Sequence, residues 1–105
     1  MDLALKAIAE PRRRAILRLV RDDELSSGEI ASHFAVSGPA ISQHLTVLKA
    51  AGLVSERRDG TRRLYRMRAE GMAEVRRFVE EFWDDGLGRL RDVAEADQRA
   101  TNKER

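Results

Sequence analysis

The side chains with most to offer chemically sit together in SGPAISQHLTVLKA: Ser42, Gln43, Thr46 and Lys49. Hydroxyl, carboxamide, methyl and ammonium groups make a hydrogen-bonding set rather than a bond-breaking one. A carboxamide can pair with an adenine edge, hydroxyls with bases or phosphates, and a threonine methyl with a thymine methyl. Further along, six arginines (Arg57, Arg58, Arg62, Arg63, Arg66 and Arg68) surround an Asp-Gly pair. Guanidinium groups in that density neutralise phosphates or enter a minor groove. The plainer reading of the arginines, a solvated charged ribbon, loses ground because a candidate base-reading helix precedes them.

Catalysis and metal binding are poorly provided for. Ser42 and His44 are two residues apart, so on a helix they point to different sides. No third group is placed to orient the imidazole, and no enzymatic activity is expected. With no cysteine, disulfide scaffolds and thiolate metal sites are excluded. Of the two histidines, His33 and His44, a structural hydrogen bond suits His44 better than metal binding, and neither metal nor cofactor is expected. His33 is expected at an exposed helix end. His44 falls between the apolar and polar faces, which suits a hydrogen bond near the core or a candidate phosphate contact.

The elements that would position these groups follow from caps and periodicity. Pro11 suits the first turn of a helix running to about Arg21, with Ile16, Leu19 and Val20 as its apolar side. Leu3, Ala4, Ala7 and Ile8 form a short helical stripe before it. "RDDEL" reads as a polar connector. Ser26 and Glu29 have capping-box spacing, with Leu25 and Ile30 as a hydrophobic staple, and predict a helix from Ser27 to about Phe34. A three-residue turn leads to Ser37, the N-cap of a helix whose first turn holds Gly38 and Pro39. Stepping 100° per residue groups Ile41, Leu45 and Leu48 on one face; Pro39, Ser42, Gln43 and Thr46 fall opposite, with Lys49 at the edge. Gly52 ends this helix. Two strands, Val54 to Arg58 and Arg62 to Met67, flank "DG", a type I′ hairpin signal. From Met72 a long helix is expected, with Met72, Val75, Val79, Phe82, Leu90 and Val93 at helical spacing and Gly86 and Gly88 interrupting it.

A chain of 105 residues suits one small domain, here residues 1–97, with 98–105 as a flexible tail. Residues 1–69 carry 13 basic and 8 acidic side chains, a net of +5, whereas residues 70–97 carry 4 and 9, a net of −5. Such a dipolar chain attracts a polyanion at its front. No apolar stretch approaches the length of a membrane span, and no hydrophobic signal segment is evident. A soluble, cytoplasmic protein is the expectation.

Two short helices joined by a turn and followed by a basic hairpin make a winged helix-turn-helix: mainly α, with a two-stranded β-wing. The second helix of such a pair lies in the major groove and reads base edges with its N-terminal residues. The stretches EPRRRAILRLV, LSSGEIASHFAVSGPAISQHLTVLKAAGLV and RRDGTRRLYRM resemble the ArsR-type winged helix-turn-helix transcriptional repressors. SGPAISQHLTVLKAAGLV is the most specific of them. The resemblance covers most of residues 8–67 and implies a homodimer that binds promoter or operator DNA. It implies Ser37, Gly38, Pro39, Ser42, Gln43, Thr46 and Lys49 on the recognition helix, and Arg57, Arg58, Arg62 and Arg63 on the wing. Dimer contacts would come from Leu3, Ile8, Met72, Val75, Val79, Phe82, Trp83, Leu87 and Leu90, in helices 1–9 and 72–96. Metal-sensing members use cysteines, or Asp and His on the last helix. No such pattern maps here, and VEEFWDDGLGRL resembles the branch that does not sense metals. Gly38 stands where relatives commonly carry glutamine or arginine. Two alternatives remain open: regulation by a small molecule in a pocket near Phe82 and Trp83, and a protein–protein module working through the acidic last helix.

Overall fold

The computed structural model describes residues 1–83 and 93–97. In chain order its elements are α1 (Asp2–Ala9), α2 (Pro11–Leu19), β1 (Leu25–Ser26), α3 (Ser27–Ala31), α4 (Gly38–Ala50), β2 (Val54–Asp59), β3 (Arg62–Met67) and α5 (Ala69–Phe82). Residues 93–97 are also helical. Met1–Val75 form one unit and the chain from Arg76 onward a second, so the division falls inside α5. Leu87, Leu90, the two glycines near them and the expected tail at 98–105 lie outside the described residues.

Helix starts follow side chains that satisfy orphan backbone donors. Glu10 caps α2, its carboxylate accepting from the Arg13 N–H at 2.9 Å, with Pro11 behind it. Both bonds of the capping box on α3 are present: Ser26 Oγ accepts from Glu29 N–H, and Glu29 accepts from Ser26 N–H. Ser37 caps α4 by accepting from Ala40 N–H at 3.3 Å. At the other end of α4, Gly52 has φ +74°. Its N–H donates to Lys49 O and that of Leu53 to Leu48 O, the paired bonds of a Schellman ending.

Several boundaries differ from the periodicity. α2 stops at Leu19, short of Arg21, because the Val20 carbonyl accepts from the Met67 N–H at the end of β3. α3 stops at Ala31 rather than Phe34. His33 and Phe34 donate to carbonyls three residues back, which tightens the chain out of the α-helix. The turn to α4 therefore occupies residues 32–37, longer than three residues. α5 opens at Ala69, three positions before Met72.

Leu25, expected in a connector, and Ser26, expected as a cap, form β1 and pair antiparallel with Tyr65 and Leu64. The wing thus belongs to a three-stranded sheet of order β1-β3-β2. In the hairpin Asp59 pairs with Arg62, leaving Gly60 and Thr61 as the loop. Gly60 has φ +65°, and among the described residues no non-glycine residue has positive φ. A type I′ turn needs positive φ at both loop positions, so the Asp-Gly pair is not one; glycine at the first position is the type II′ arrangement.

The core of the first unit gathers Ala7, Ile16, Val20, Ile30, Ile41, Leu45, Leu48, Leu53 and Val54, all essentially sealed from water. On α2 the buried residues are Ile16 and Leu17 with Val20 beyond, while Leu19 is only half-buried. Val75 also fills this core, and Ile8 and Met72 pack against it. Gly71 lets the start of α5 press onto the Gly52 backbone: a Cβ there would stand 2.0 Å from Gly52 O.

Candidate nucleic-acid interface

α4 is anchored by Ile41, Leu45 and Leu48 and turns the rest of its surface outward. Ser42, Gln43, Thr46 and Lys49 are exposed, as are Ser37, Gly38 and Pro39 at its tip. Gln43 has no hydrogen-bond partner among the described residues, so both ends of its carboxamide are available to a ligand. The Thr46 hydroxyl donates to Ser42 O at 2.9 Å. Its proton is used inside the helix, leaving acceptor lone pairs and a methyl group. Val47, one turn beyond Gln43, is 40% exposed. Sequence reasoning passed over it; an apolar residue off the buried stripe and next to Gln43 was the available signal.

His44 is turned toward the junction of α1 and α2. Its Nδ1 lies 3.4 Å from an Arg13 guanidinium nitrogen and 4.0 Å from the Glu10 carboxylate. Arg13 in turn donates to the Ala7 and Lys6 carbonyls. Nδ1 facing a permanent cation is an acceptor, not a metal ligand, and among the described residues no three His, Cys, Asp or Glu side chains gather where they could hold a metal ion. The sequence holds no cysteine, so a thiolate site is excluded. The expected phosphate contact at His44 would have to come from Nε2.

Between α4 and the wing runs a groove lined by Ser42, Thr46 and Lys49 from the helix and by Glu56, Arg63 and Tyr65 from the strands. Strand alternation explains the wing's share. Glu56 and Arg58 of β2 share a face with Tyr65 and Arg63 of β3, while Arg57 and Arg62 lie on the other face. Arg58 and Arg63 are direct cross-strand partners. Like charges opposite each other destabilise a hairpin unless an anion joins them.

On the two faces of the wing and on α4, several cations are already held. Arg57 grips Glu24 with two bonds, at 2.5 and 3.1 Å. Arg62 bonds to Glu29. Lys49 bonds to Glu56 at 3.1 Å, and Arg63 stands 3.6 Å from the same carboxylate. Each of these carboxyls is held below the ordinary glutamate range. The bond from Arg57 does most for Glu24, the Ser26 hydrogen bonds for Glu29 (with Arg62 adding), and the bond from Lys49 for Glu56. Arg58 has no carboxylate partner among the described residues. Of these acids the sequence singled out Glu29 alone, and only as a helix cap. Glu24 and Glu29 lie 33 residues from their arginines, which no local spacing could reveal.

The residues expected at a dimer seam divide. Leu3 on α1 is 62% exposed. Val79 and Phe82 on α5, and Trp83 just after it, are all exposed. Phe82 meets Phe78 edge to face, with ring centres 5.1 Å apart. Val75 is the correction: it is buried in the core of its own unit and has little surface left for a partner. Among the described residues no helix is long and apolar enough to cross a membrane.

The sequence profile of the bacterial regulatory proteins of the ArsR family matches residues 10–56, which run from the cap of α2 into β2. The HTH-type transcriptional regulator Rv2034 of Mycobacterium tuberculosis is 44% identical over 86 residues, covering 82% of this chain and 80% of its own. Transcriptional repressor SdpR of Bacillus subtilis is 45% identical over 60 residues, 57% of this chain and 67% of that one. Among solved structures, one described as a possible transcriptional regulator for arsenical resistance superposes with a TM-score of 0.74 at 44% identity, covering 88% of this chain and 94% of that one. A homodimeric winged helix-turn-helix DNA-binding domain from Mycobacterium bovis superposes at 0.65 with 35% identity, covering 82% and 80%. Helix-turn-helix, basic wing, sequence profile and these relatives agree: the chain belongs to the ArsR family of bacterial regulatory proteins and has its winged helix-turn-helix fold.

Proposed function

We propose that this protein is a metal-independent transcriptional repressor that binds an imperfect DNA palindrome as a homodimer. One observation carries the reading. The groove joining α4 to the wing brings Ser42, Thr46 and Lys49 together with Arg63, so base-reading and phosphate-binding groups line one surface. In the major groove, Gln43 meets an adenine edge, Ser42 and Thr46 meet bases or phosphates, and Val47 or the Thr46 methyl meets a thymine methyl. Arg58 and the other wing cations, with Ser37 and Lys49, meet phosphates; Gly38 and Pro39 keep the tip of the helix narrow. Phosphate contacts supply most of the affinity and its salt dependence.

The homodimer rests on the exposed Leu3, Val79, Phe82 and Trp83, on the family resemblance and on the homodimeric M. bovis relative. Repression follows the SdpR likeness, although a relative from Vibrio cholerae is named a transcriptional activator. Independence of metal rests on the absence of cysteine and on the Arg13 guanidinium facing His44.

Enrichment of duplexes from a random-sequence library tests the reading. It predicts a recovered site with two related half-sites whose centres lie about one helical turn (~34 Å), or a multiple, apart. Recovery of no common sequence at low salt would contradict it.

A further inference from the structure

We propose that Glu56 is a specificity-determining residue of the DNA interface. It holds Lys49 of the reading helix and Arg63 of the wing away from the phosphates of non-target DNA. This inference rests on the DNA-binding function proposed above.

Glu56 differs in position and load from the other acids on this face. Its side chain is only 17% exposed, against 29% for Glu24 and 46% for Glu29. It alone spans α4 and the sheet: Lys49 donates to Oε2 at 3.1 Å, while Arg63 Nε stands 3.6 Å from Oε1. Tyr65 holds it from below, donating its hydroxyl to Oε2 at 3.4 Å. Burial and the Glu56 charge both push the Tyr65 hydroxyl up, so it stays a donor. One anion therefore faces two cations in the groove where a duplex would lie, and the anion is pinned in place.

The consequence concerns discrimination more than stability. Ion pairs whose cations are as exposed as Lys49 and Arg63 contribute little to folding. In binding, however, a phosphate that draws Lys49 or Arg63 away must leave the Glu56 charge uncompensated beside the phosphodiester backbone. On random DNA the gain is a single phosphate contact, and the exchange is unfavourable. On a target duplex, base contacts by Gln43 hold the helix at full depth, and both cations transfer together. Specificity is a difference of affinities and widens when the wrong partner is penalised.

The test compares Glu56→Gln with the wild-type chain on two probes: the duplex that the wild-type chain enriches from a random library, and a random-sequence duplex of equal length. Glutamine keeps the volume and an acceptor for Tyr65. The variant should gain affinity for random DNA more than for the enriched duplex, lowering the ratio of the two about fivefold. Its salt slope on random DNA should steepen by about one to two. Glu24→Gln removes an equal charge bound to Arg57 alone and should shift both affinities together. Lys49→Met supplies an independent arm, weakening the enriched duplex while leaving the random one nearly unchanged. An unaltered ratio in Glu56→Gln, or an equal fall in Glu24→Gln, overturns the role of Glu56. Wild-type protein that binds neither duplex would overturn the DNA-binding function as well, which separates the two failures.

Discussion

A single carboxylate oxygen of Glu29 accepts from both the Ser26 N–H, closing the capping box of α3, and the Arg62 guanidinium on the wing. The wing is thereby tied to the helix-turn-helix through a group already needed for folding. A phosphate that approaches Arg62 competes with that oxygen for the guanidinium. Arg58, four residues earlier and across the strands from Arg63, carries no such tie.

Phosphate contacts should therefore be unequal along the wing. Arg58→Ala should flatten the dependence of log affinity on log salt by about 0.9, the contribution of one phosphate. Arg62→Ala should flatten it by less, because part of its charge is already answered by Glu29. Binding titrations from low to physiological salt check this order, and equal slopes for the two variants would show that Arg62 leaves Glu29 freely.

Acid should loosen the fold from a definite side. Glu10, Glu24, Glu29 and Glu56 are all held below the ordinary glutamate value, chiefly by hydrogen bonds from Arg13 N–H, Arg57, Ser26 and Lys49 respectively. A depressed folded-state pKa means stability that is fully present above the unfolded value and lost as the pH falls through the folded one. Urea unfolding should accordingly be nearly flat from neutral pH to about pH 5 and weaken below it. Combining Glu24→Gln with Glu29→Gln should shrink that acid-side loss, and a variant that tracks the wild type across the whole range would contradict the assignment.

Gly71 should resist the substitution that helix propensity favours. Alanine in place of glycine normally stabilises a helix by up to about 1 kcal/mol. Here the added Cβ meets Gly52 O at 2.0 Å, a backbone atom in the Schellman ending of α4 that cannot swing aside. Gly71→Ala should destabilise by about 1–3 kcal/mol, as overpacking does. A thermal melt checks the sign.

How much was legible in the sequence depended on the range of the interaction. The caps at Ser26, Ser37 and Gly52, and the buried stripe Ile41, Leu45 and Leu48, are local signals, and each appears as expected. β1 escaped because two residues cannot show a period of two, and its partners, Tyr65 and Leu64, lie far along the chain. The Asp-Gly signal placed the hairpin correctly but its loop one residue early, since the register is set by Leu64 and Tyr65 reaching the core. Periodicity counted Val75 among outward residues of the last helix, yet a face can serve its own core first. At Gly38, where relatives commonly carry glutamine or arginine, nothing stands within 4 Å of a built Cβ. The fold does not demand glycine at that position, so its narrowness matters only to whatever the tip of α4 meets.

The most direct test of the proposed function is the discrimination ratio of Gln43→Ala. Affinities for the enriched duplex and for a random duplex, measured at one salt concentration, give that ratio with phosphate contacts largely cancelled. Removing a base-reading carboxamide should lower it by about 1–3 kcal/mol, nearly all from weaker binding to the enriched site. A ratio equal to that of the wild type would contradict base reading by α4.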